Sequence, residues 1–426
     1  MEFLLAPWPC LIGLTSKVAD KENTMALDVV QSISSHNAGR DPERLALKYL
    51  KMRTGAFAFL RGSCHLFYAR LPKTSIFKSA PLVWVCGDLH LENFGSYKGD
   101  NRLVYFDIND FDEAALAPSS WDLVRMLTSI EIGAQEAGAK PVEVKVLCSQ
   151  FLAAYASALR LGKAYWLERD TAQGPVRTLL GRLRDRTRPE FLNTRTEILG
   201  KKRIVRLDGK KALPVSGAQR EAVMNLMASF APTQPEPGFF RVLDVARRIA
   251  GTGSLGLERY AVLVKGRGSP DGNHLLDLKL AVPSSLEPHL ISRQPKWTSE
   301  ASRVVALQQR IQAVPIAFLQ AVHIGKSSYV LRGLQPSEDR ITIAAGLLKQ
   351  TEFRLLMDSL GKLLAWSHLR SASRQGAAGA DELIDYGQRM KWQIKLLVFA
   401  QACSHQVRAD AATFNAAFDD GAFGGR

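Results

Sequence analysis

Two spacings of apolar residues alternate along this chain, and each predicts a different kind of element. Leu123, Met126, Leu127 and Ile130 recur at steps of three and four, lining one face of a helix opened by Pro118-Ser119-Ser120-Trp121-Asp122. Asp122 falls in its first turn, where the helix dipole favours a carboxylate. The Ala- and Leu-rich stretch 142–167 predicts a second long helix, 300–312 a shorter one, and 340–373 and 381–409 two more. Residues 41–70 read as helix and then loop, carrying Arg53, Phe57, Phe59 and Arg61 towards the first strand. Runs of β-type residues stand at 83–85, 103–106, 241–249, 260–264, 275–282 and 329–331. Gly266, Gly268, Pro270 and Gly272 punctuate the fourth and fifth of these, and a hairpin is expected around Asp208-Gly209. Composition shifts at Thr233-Gln234-Pro235-Glu236-Pro237-Gly238, which marks a boundary.

Composition narrows the class without naming a function. A length of 426 residues suits two or three compact units. The 46% hydrophobic and 23% charged fractions are those of an ordinary globular protein. No uninterrupted apolar run is long enough for a bilayer, so no membrane association and a cytoplasmic location are expected. The net charge of +15 suits a polyanionic partner or a phosphate-rich ligand. Basic residues are mixed with acidic ones and form no tract, which favours a solvated basic surface over a nucleic-acid interface. The five cysteines are far apart and odd in number, which argues against a disulfide framework or structural zinc. The apolar start FLLAPWPCLIGL follows Glu2 and meets no Lys or Arg before Lys17, a poor signal peptide, and Met25 stands as an alternative start.

The densest chemistry lies between Val83 and Glu113. One β-type run ends in Gly87-Asp88-Leu89-His90, with Asn93 following, and the next, expected to form a strand pair with it, carries Asp107, Asn109, Asp110 and Asp112. Carboxylate and amide oxygens are the hard ligands Mg²⁺ accepts, usually shared with substrate phosphates. Asp107, Asp110, Asp112 and Glu113 crowd within seven residues and repel one another unless a cation or an arginine compensates. His90 has no second histidine at zinc-site spacing and reads as a brace for the loop. Further on, Gly251-Thr252-Gly253-Ser254-Leu255-Gly256 is a G-x-G-x-x-G between two β-type runs. Strand, turn, strand is the context of a kinase phosphate loop, whereas dinucleotide folds need a helix after the glycines. Lys279 alternates with Leu278 and Leu280, and a strand turns it to the opposite face. Alone it reads as an edge lysine; behind a glycine loop it reads as a phosphate ligand. The helix at 300–312 offers Glu300 at its start and only Gln308 and Gln309 inside as partners for it.

Asp88-Leu89-His90-Leu91-Glu92-Asn93 resembles the catalytic loop H-G-D-x-x-x-x-N of aminoglycoside phosphotransferases and choline kinases, with Cys86 where they carry His. The resemblance implies that Asp88 is the base facing an attacking hydroxyl and that Asn93 helps hold Mg²⁺. Asn109-Asp110-Phe111-Asp112 resembles the metal segment, with Asp110 favoured as ligand and Asp107 the alternative; Pro118, Asp122 and Leu123 resemble the stretch after it. Gly251, Gly253, Ser254, Gly256 and Lys279 would then hold ATP. The order is inverted, and residues 360–368 resemble the helix that normally leads into the catalytic loop, so the resemblance implies a circular permutation.

The elements Gly87-Asp88-x-His90-x-x-Asn93-Phe94-Gly95, Phe106-Asp107-x-Asn109-Asp110-Phe111-Asp112-Glu113, Gly251-x-Gly253-Ser254-x-Gly256 and Arg303-Val304-Val305 are similar to those of the bacterial family called domain of unknown function 2252, over most of residues 40–375. That family carries no established activity. The expected architecture is α+β, a two-lobed protein kinase-like fold in permuted order. It divides into a partly disordered extension at 1–40, a helical lobe with the catalytic-loop and metal strands at 41–235, a β-rich nucleotide lobe at 236–335, and C-terminal helices at 336–426. The expected function is an ATP- and Mg²⁺-dependent phosphotransferase acting on a hydroxyl of a small molecule, with AMP transfer left open. The alternatives are a nucleotide-binding module without catalysis and a metal-dependent phosphoesterase using Asp88, His90, Asn93 and Asp107. The acceptor and the oligomeric state are not readable from the sequence.

Overall fold

The computed structural model describes residues 27–200, 202–336, 339–341 and 350–423. Most of the expected extension, and the first part of the helix expected at 340–373, lie outside these. The described chain opens with α1 (Val29–His36), α2 (Pro42–Met52), α3 (Ala56–Gly62), α4 (Cys64–Arg70) and α5 (Ser75–Lys78). Strands β1 (Leu82–Val85), β2 (Phe94–Lys98), β3 (Val104–Ile108) and β4 (Ala115–Pro118) follow, then helices α6 (Ser120–Glu136), α7 (Pro141–Leu161), α8 (Gly174–Arg184) and α9 (Arg188–Asn193). Next come β5 (Thr196–Leu199), β6 (Lys202–Val205), β7 (Ala212–Leu213), α10 (Gly217–Phe230), β8 (Val242–Arg248), β9 (Arg259–Val264) and β10 (His274–Leu280). Helix α11 (Glu300–Ile311), strands β11 (Gln320–Ile324) and β12 (Ser327–Gly333), and helices α12 (Gln350–Arg370), α13 (Ala380–Gln388) and α14 (Lys391–Asp419) complete it. The fold is mixed α+β.

Helices α1–α8 and α11–α14 share one large core. Helix α7 packs on α12, α13 and α6, and α14 lies along α6. Among the described residues α7 is the one helix long and apolar enough to cross a membrane, but Leu147, Phe151, Leu152, Tyr155 and Leu159 are buried in this core. Glu143 caps its start through the Lys140 N–H at 2.7 Å, and it ends at Leu161, short of 167, with Gly162 in a left-handed conformation. Close approach of α12 depends on Gly361, where a Cβ would lie 2.4 Å from the Phe151 carbonyl oxygen.

A six-stranded antiparallel sheet in the order β11-β12-β10-β9-β8-β7 forms the second layer. Its strands read from alternation. Leu276 and Leu278 of β10, Tyr260, Val262 and Val264 of β9, and Tyr329 and Leu331 of β12 point to one face and pack with Val223, Leu226 and Met227 of α10. The opposite face carries charge: Arg248, Arg259, Asp277, Lys279 and Arg332 are all buried. Arg259 donates to both Asp277 oxygens (2.8 and 2.6 Å), Arg248 lies 2.8 Å from one and Arg332 3.5 Å from the other. Burial alone pushes the Asp277 carboxyl up, but the three guanidinium groups override it and hold it well below the usual carboxylate range.

Three expectations are corrected. The runs at 83–85 and 103–106 do not pair with each other: β1 pairs with β4, and β3 with β2. Asp208-Gly209 is not a hairpin tip. Asp208 Oδ1 accepts the N–H groups of Lys210, Lys211 and Ala212, making a turn that passes the chain from β6 to β7 in a different sheet, while the hairpin is β5–β6. The stretch 381–409 is two helices, broken at Arg389-Met390.

Replacing Asp277 by Ala leaves three buried guanidinium groups without their carboxylate. The expected loss is about 3–5 kcal/mol in denaturant unfolding, the range for breaking one partner out of a buried ion cluster. A loss below about 1 kcal/mol would show that the sheet face is held by other means. Because the folded carboxyl is depressed, its contribution is present above pH about 4 and lost as pH falls below it towards the folded value.

Candidate functional site

The Asp88 loop leaves β1 through a backbone that a side chain would block. Gly87 has φ +82°, and a Cβ there would lie 2.5 Å from the Glu113 carbonyl oxygen. One face of α6 then holds the loop. Asp122, Arg125 and Ser129 recur at helical spacing: Asp122 accepts the N–H groups of Cys86 (2.9 Å) and Gly87 (3.0 Å), and Ser129 Oγ accepts that of Leu91 (2.9 Å). Arg125 donates through Nε to Asp88 Oδ1 at 3.0 Å and through Nη2 to the Leu60 carbonyl at 2.8 Å. Behind Asp122 stands His368 of α12, 3.6 Å away, hydrogen-bonded to the Tyr155 hydroxyl at 2.9 Å.

Asp88 keeps 20% of its side chain exposed. Burial pushes its carboxyl up; Arg125 opposes this, and the nearby Glu113 and Asp110 carboxylates add to it, for a value of about 6. Asn93 is buried and donates from Nδ2 to the Asp88 carbonyl at 2.9 Å, while its own carbonyl accepts the Asn109 N–H at 2.9 Å. His90 turns into the loop, its Nδ1 accepting the Glu92 N–H at 3.2 Å. Burial and the charges of Arg61 and Arg125 push its pKa well down, so it is a neutral brace.

The second acidic strand end divides its carboxylates. Asp107 is not among those facing the loop: it is buried against Arg370 of α12 (2.8 Å) and the Ala313 N–H (3.2 Å). Asp110 and Asp112 instead meet Lys279 of β10, which touches Asp112 and lies 3.7 Å from Asp110. Burial pushes the Asp110 carboxyl up, but Lys279, Arg332, Arg340 and Arg259 outweigh it and hold it below the usual value. Glu113 accepts the Ser285 N–H (2.6 Å) and the Ser284 hydroxyl (3.1 Å). Glu300 pairs with Arg303 at 2.7 Å, so the acidic partners of Lys279 come from the segment after β3 and not from α11.

The glycine loop closes over Asp88. A Cβ on Gly253 would lie 3.2 Å from the Arg61 carbonyl oxygen and 3.9 Å from Asp88 Oδ2. Lys48 (3.0 Å) and Arg40 (2.7 Å) donate to the Gly253 carbonyl, and Arg40 also to that of Leu255 (3.1 Å). With the Gly253 and Leu255 carbonyls held from outside, the loop leaves the N–H groups of Gly253 and Ser254 without an acceptor among the described residues.

Asp88, Asn93, Asp110, Lys279 and the loop 251–256 therefore gather in one place; Asp107 is turned elsewhere and His90 is internal to its loop. Sequence reading missed Arg40, Lys48 and Arg340. Lys48 is wholly buried, and burial first, then Arg40, pushes its ammonium well down, while Asp88 and Glu113 oppose this. The spacing of Arg44 and Lys48 beside Tyr49 and Met52 on α2 was the available signal, and it reads equally as a solvated helix face.

Among the described residues no three His, Cys, Asp or Glu side chains stand together as a ready metal site. The donor set fits Mg²⁺ only if phosphate oxygens complete it. Asp110 and the Asn93 side-chain oxygen supply protein ligands of the right kind, and both polar atoms of the Asn109 side chain are buried without a hydrogen-bond partner.

A mixed α+β protein that closes two acidic strand ends against a glycine loop and a buried basic sheet face is what these observations define. The chain belongs to the family described as uncharacterized protein conserved in bacteria (DUF2252), which matches residues 40–417. No curated protein and no solved structure matches it. The family match extends through most of α14, beyond the 375 at which the motif resemblance ended.

Asp122→Ala strands two buried N–H groups of the loop, at roughly 1–3 kcal/mol each, so unfolding experiments are expected to show a loss of about 2–6 kcal/mol. Hydrogen exchange at Cys86 and Gly87 is expected to accelerate more than at β12. Uniform acceleration would mean that Asp122 stabilises the whole fold and not the loop.

Proposed function

We propose that this protein is an ATP- and Mg²⁺-dependent phosphotransferase of kinase-like type, with its lobes in permuted order, acting on a hydroxyl of a small molecule. The observation that carries the reading is the gathering of Asp88, Asp110, Lys279 and Gly253, which lie on separate segments of the chain. A glycine loop whose Gly253 and Ser254 N–H groups have no acceptor among the described residues, a lysine from the adjoining sheet, and an acid and amide pair are the parts that phosphoryl transfer requires.

Bound Mg-ATP supplies the transferable phosphoryl group and a cation that neutralises its charge. The rest falls to side chains. Asp88, fixed by Arg125, orients the acceptor hydroxyl and takes its proton. Asn93 and Asp110 offer oxygens to the cation, and Asp107, tied to Arg370, does not. Lys279 and the N–H groups of Gly253 and Ser254 receive phosphate oxygens. Catalysis is then positioning and electrostatic stabilisation.

The test measures ATP binding by calorimetry and thermal unfolding, and turnover across an acceptor panel, with and without Mg²⁺. Asp88→Ala is expected to retain ATP binding and lose at least 100-fold in turnover, the lower range for a general base. Lys279→Ala is expected to weaken ATP binding at least tenfold. ATP that neither binds nor raises the unfolding temperature of the wild type sinks the reading. Binding without turnover of any acceptor would instead support a non-catalytic nucleotide module. Metal-dependent phosphoester hydrolysis that survives Lys279→Ala would support a phosphoesterase.

The pH dependence has a definite sign. With the Asp88 carboxyl raised to about 6, its basic form disappears as pH falls through that value, so kcat/KM is expected to rise with pH and to have its midpoint near 6. A profile flat between pH 5 and 8 would remove Asp88 from the role of base.

A further inference from the structure

A sizeable cavity lies away from the Asp88 loop. It encloses about 930 Å³ between the β2–β3 hairpin, the start of α9, the turn joining β9 to β10, and the approach to β11. Asp88, Asp110, Lys279 and the glycine loop do not line it. Its size suits a small organic ligand.

The lining has two chemistries. Lys98, Arg102, Arg188 and Arg267 converge from three segments, and among the described residues none has an ion pair with a carboxylate, whereas the neighbouring Arg186 is matched by Asp339 at 2.6 and 2.9 Å. Asp100 and Glu236 also border the cavity and offset only part of this charge. Burial and mutual repulsion push Lys98, Arg102 and Arg188 below their ordinary values, and His274 is driven to about 3 and is neutral. Below the cations lies an aromatic floor: Phe239 and Phe318 stand 5.4 Å apart, Phe240 is 5.6 Å from Phe318, and the Arg102 guanidinium sits 4.3 Å over the Phe318 ring. These four cations, three of them exposed and one half-buried, repel one another over apolar rings, and an anion that joins them relieves that repulsion.

We propose that this cavity is a second ligand site, which binds a small organic phosphate through Lys98, Arg102, Arg188 and Arg267 and seats its apolar or aromatic body on Phe239 and Phe318. Guanidinium groups suit phosphate through paired N–H donors, and the rings provide the contact that inorganic phosphate lacks. The site is independent of the Asp88 chemistry.

The experiment compares calorimetric binding of phenyl phosphate, inorganic phosphate and benzyl alcohol to the full chain. Phenyl phosphate is expected to bind at least tenfold tighter than either of the others. Arg267→Glu and Arg188→Glu, at exposed and half-buried positions, are each expected to weaken phenyl phosphate at least tenfold. Phe318→Ala is expected to reduce the advantage of phenyl phosphate over inorganic phosphate while leaving inorganic phosphate unchanged. Binding is expected to persist in Lys279→Ala. Equal affinity for phenyl and inorganic phosphate, or indifference to both charge reversals, overturns the proposal. Loss of binding in Lys279→Ala with retention in Arg267→Glu also overturns it, by assigning the probe to the Asp88 loop.

Discussion

A charge taken out of water has to meet its opposite, and this constraint organises the molecule around the inner face of its large sheet. Arg248, Arg259 and Arg332 converge on Asp277, and Lys279, two residues along the same strand, is left for carboxylates outside the sheet. Those are Asp110 and Asp112, at the end of β3. The ion pairing that makes burial of Lys279 tolerable also docks the sheet against the acidic segment. Arg303 ties the same junction by donating to the Asp112 and Ala114 carbonyls.

The acidic loop answers to the same constraint from the other side. Asp88 shares its surroundings with Glu113 and Asp110, which keeps its carboxyl high even with Arg125 attached. Asp110 stands closer to the cations of the sheet and is held low. Two carboxylates of one cluster thus differ in proton affinity because one faces α6 and the other faces β10. Such divergence is a usual mark of sites where acid and base roles are separated.

The sequence reveals those parts that local pattern determines. Alternation in 275–282 located β10 and put Lys279 opposite Leu278, and the spacing of Asp88 and Asn93 marked a loop whose internal hydrogen bond is present. What it conceals depends on partners distant in the chain. Nothing near Asp107 separates it from Asp110; Arg370 does, from α12. Lys48 and Arg40 look like ordinary helix and turn residues until the Gly253 carbonyl arrives to receive them. Asp122 was readable as a first-turn carboxylate, while its hold on Cys86 and Gly87 required knowing which way α6 faces. The break at Arg389-Met390 lies within a continuous helical pattern, and the separate packing of α13 on α7 and α14 on α6 accompanies it.

The bond between Asp107 and Arg370 spans 263 residues, and that between Arg70 and Asp410 spans 340. Contacts of such separation slow folding, because the intervening chain must be ordered before they form. During synthesis the segment containing Asp88 and Asp107 leaves the ribosome long before α12 and α14 exist. His368 cannot stand behind Asp122, nor Arg370 neutralise Asp107, until the last part of the chain has emerged. The acidic strands are therefore made well before the residues that neutralise and cover them, so their environment is completed only by the last helices of the chain.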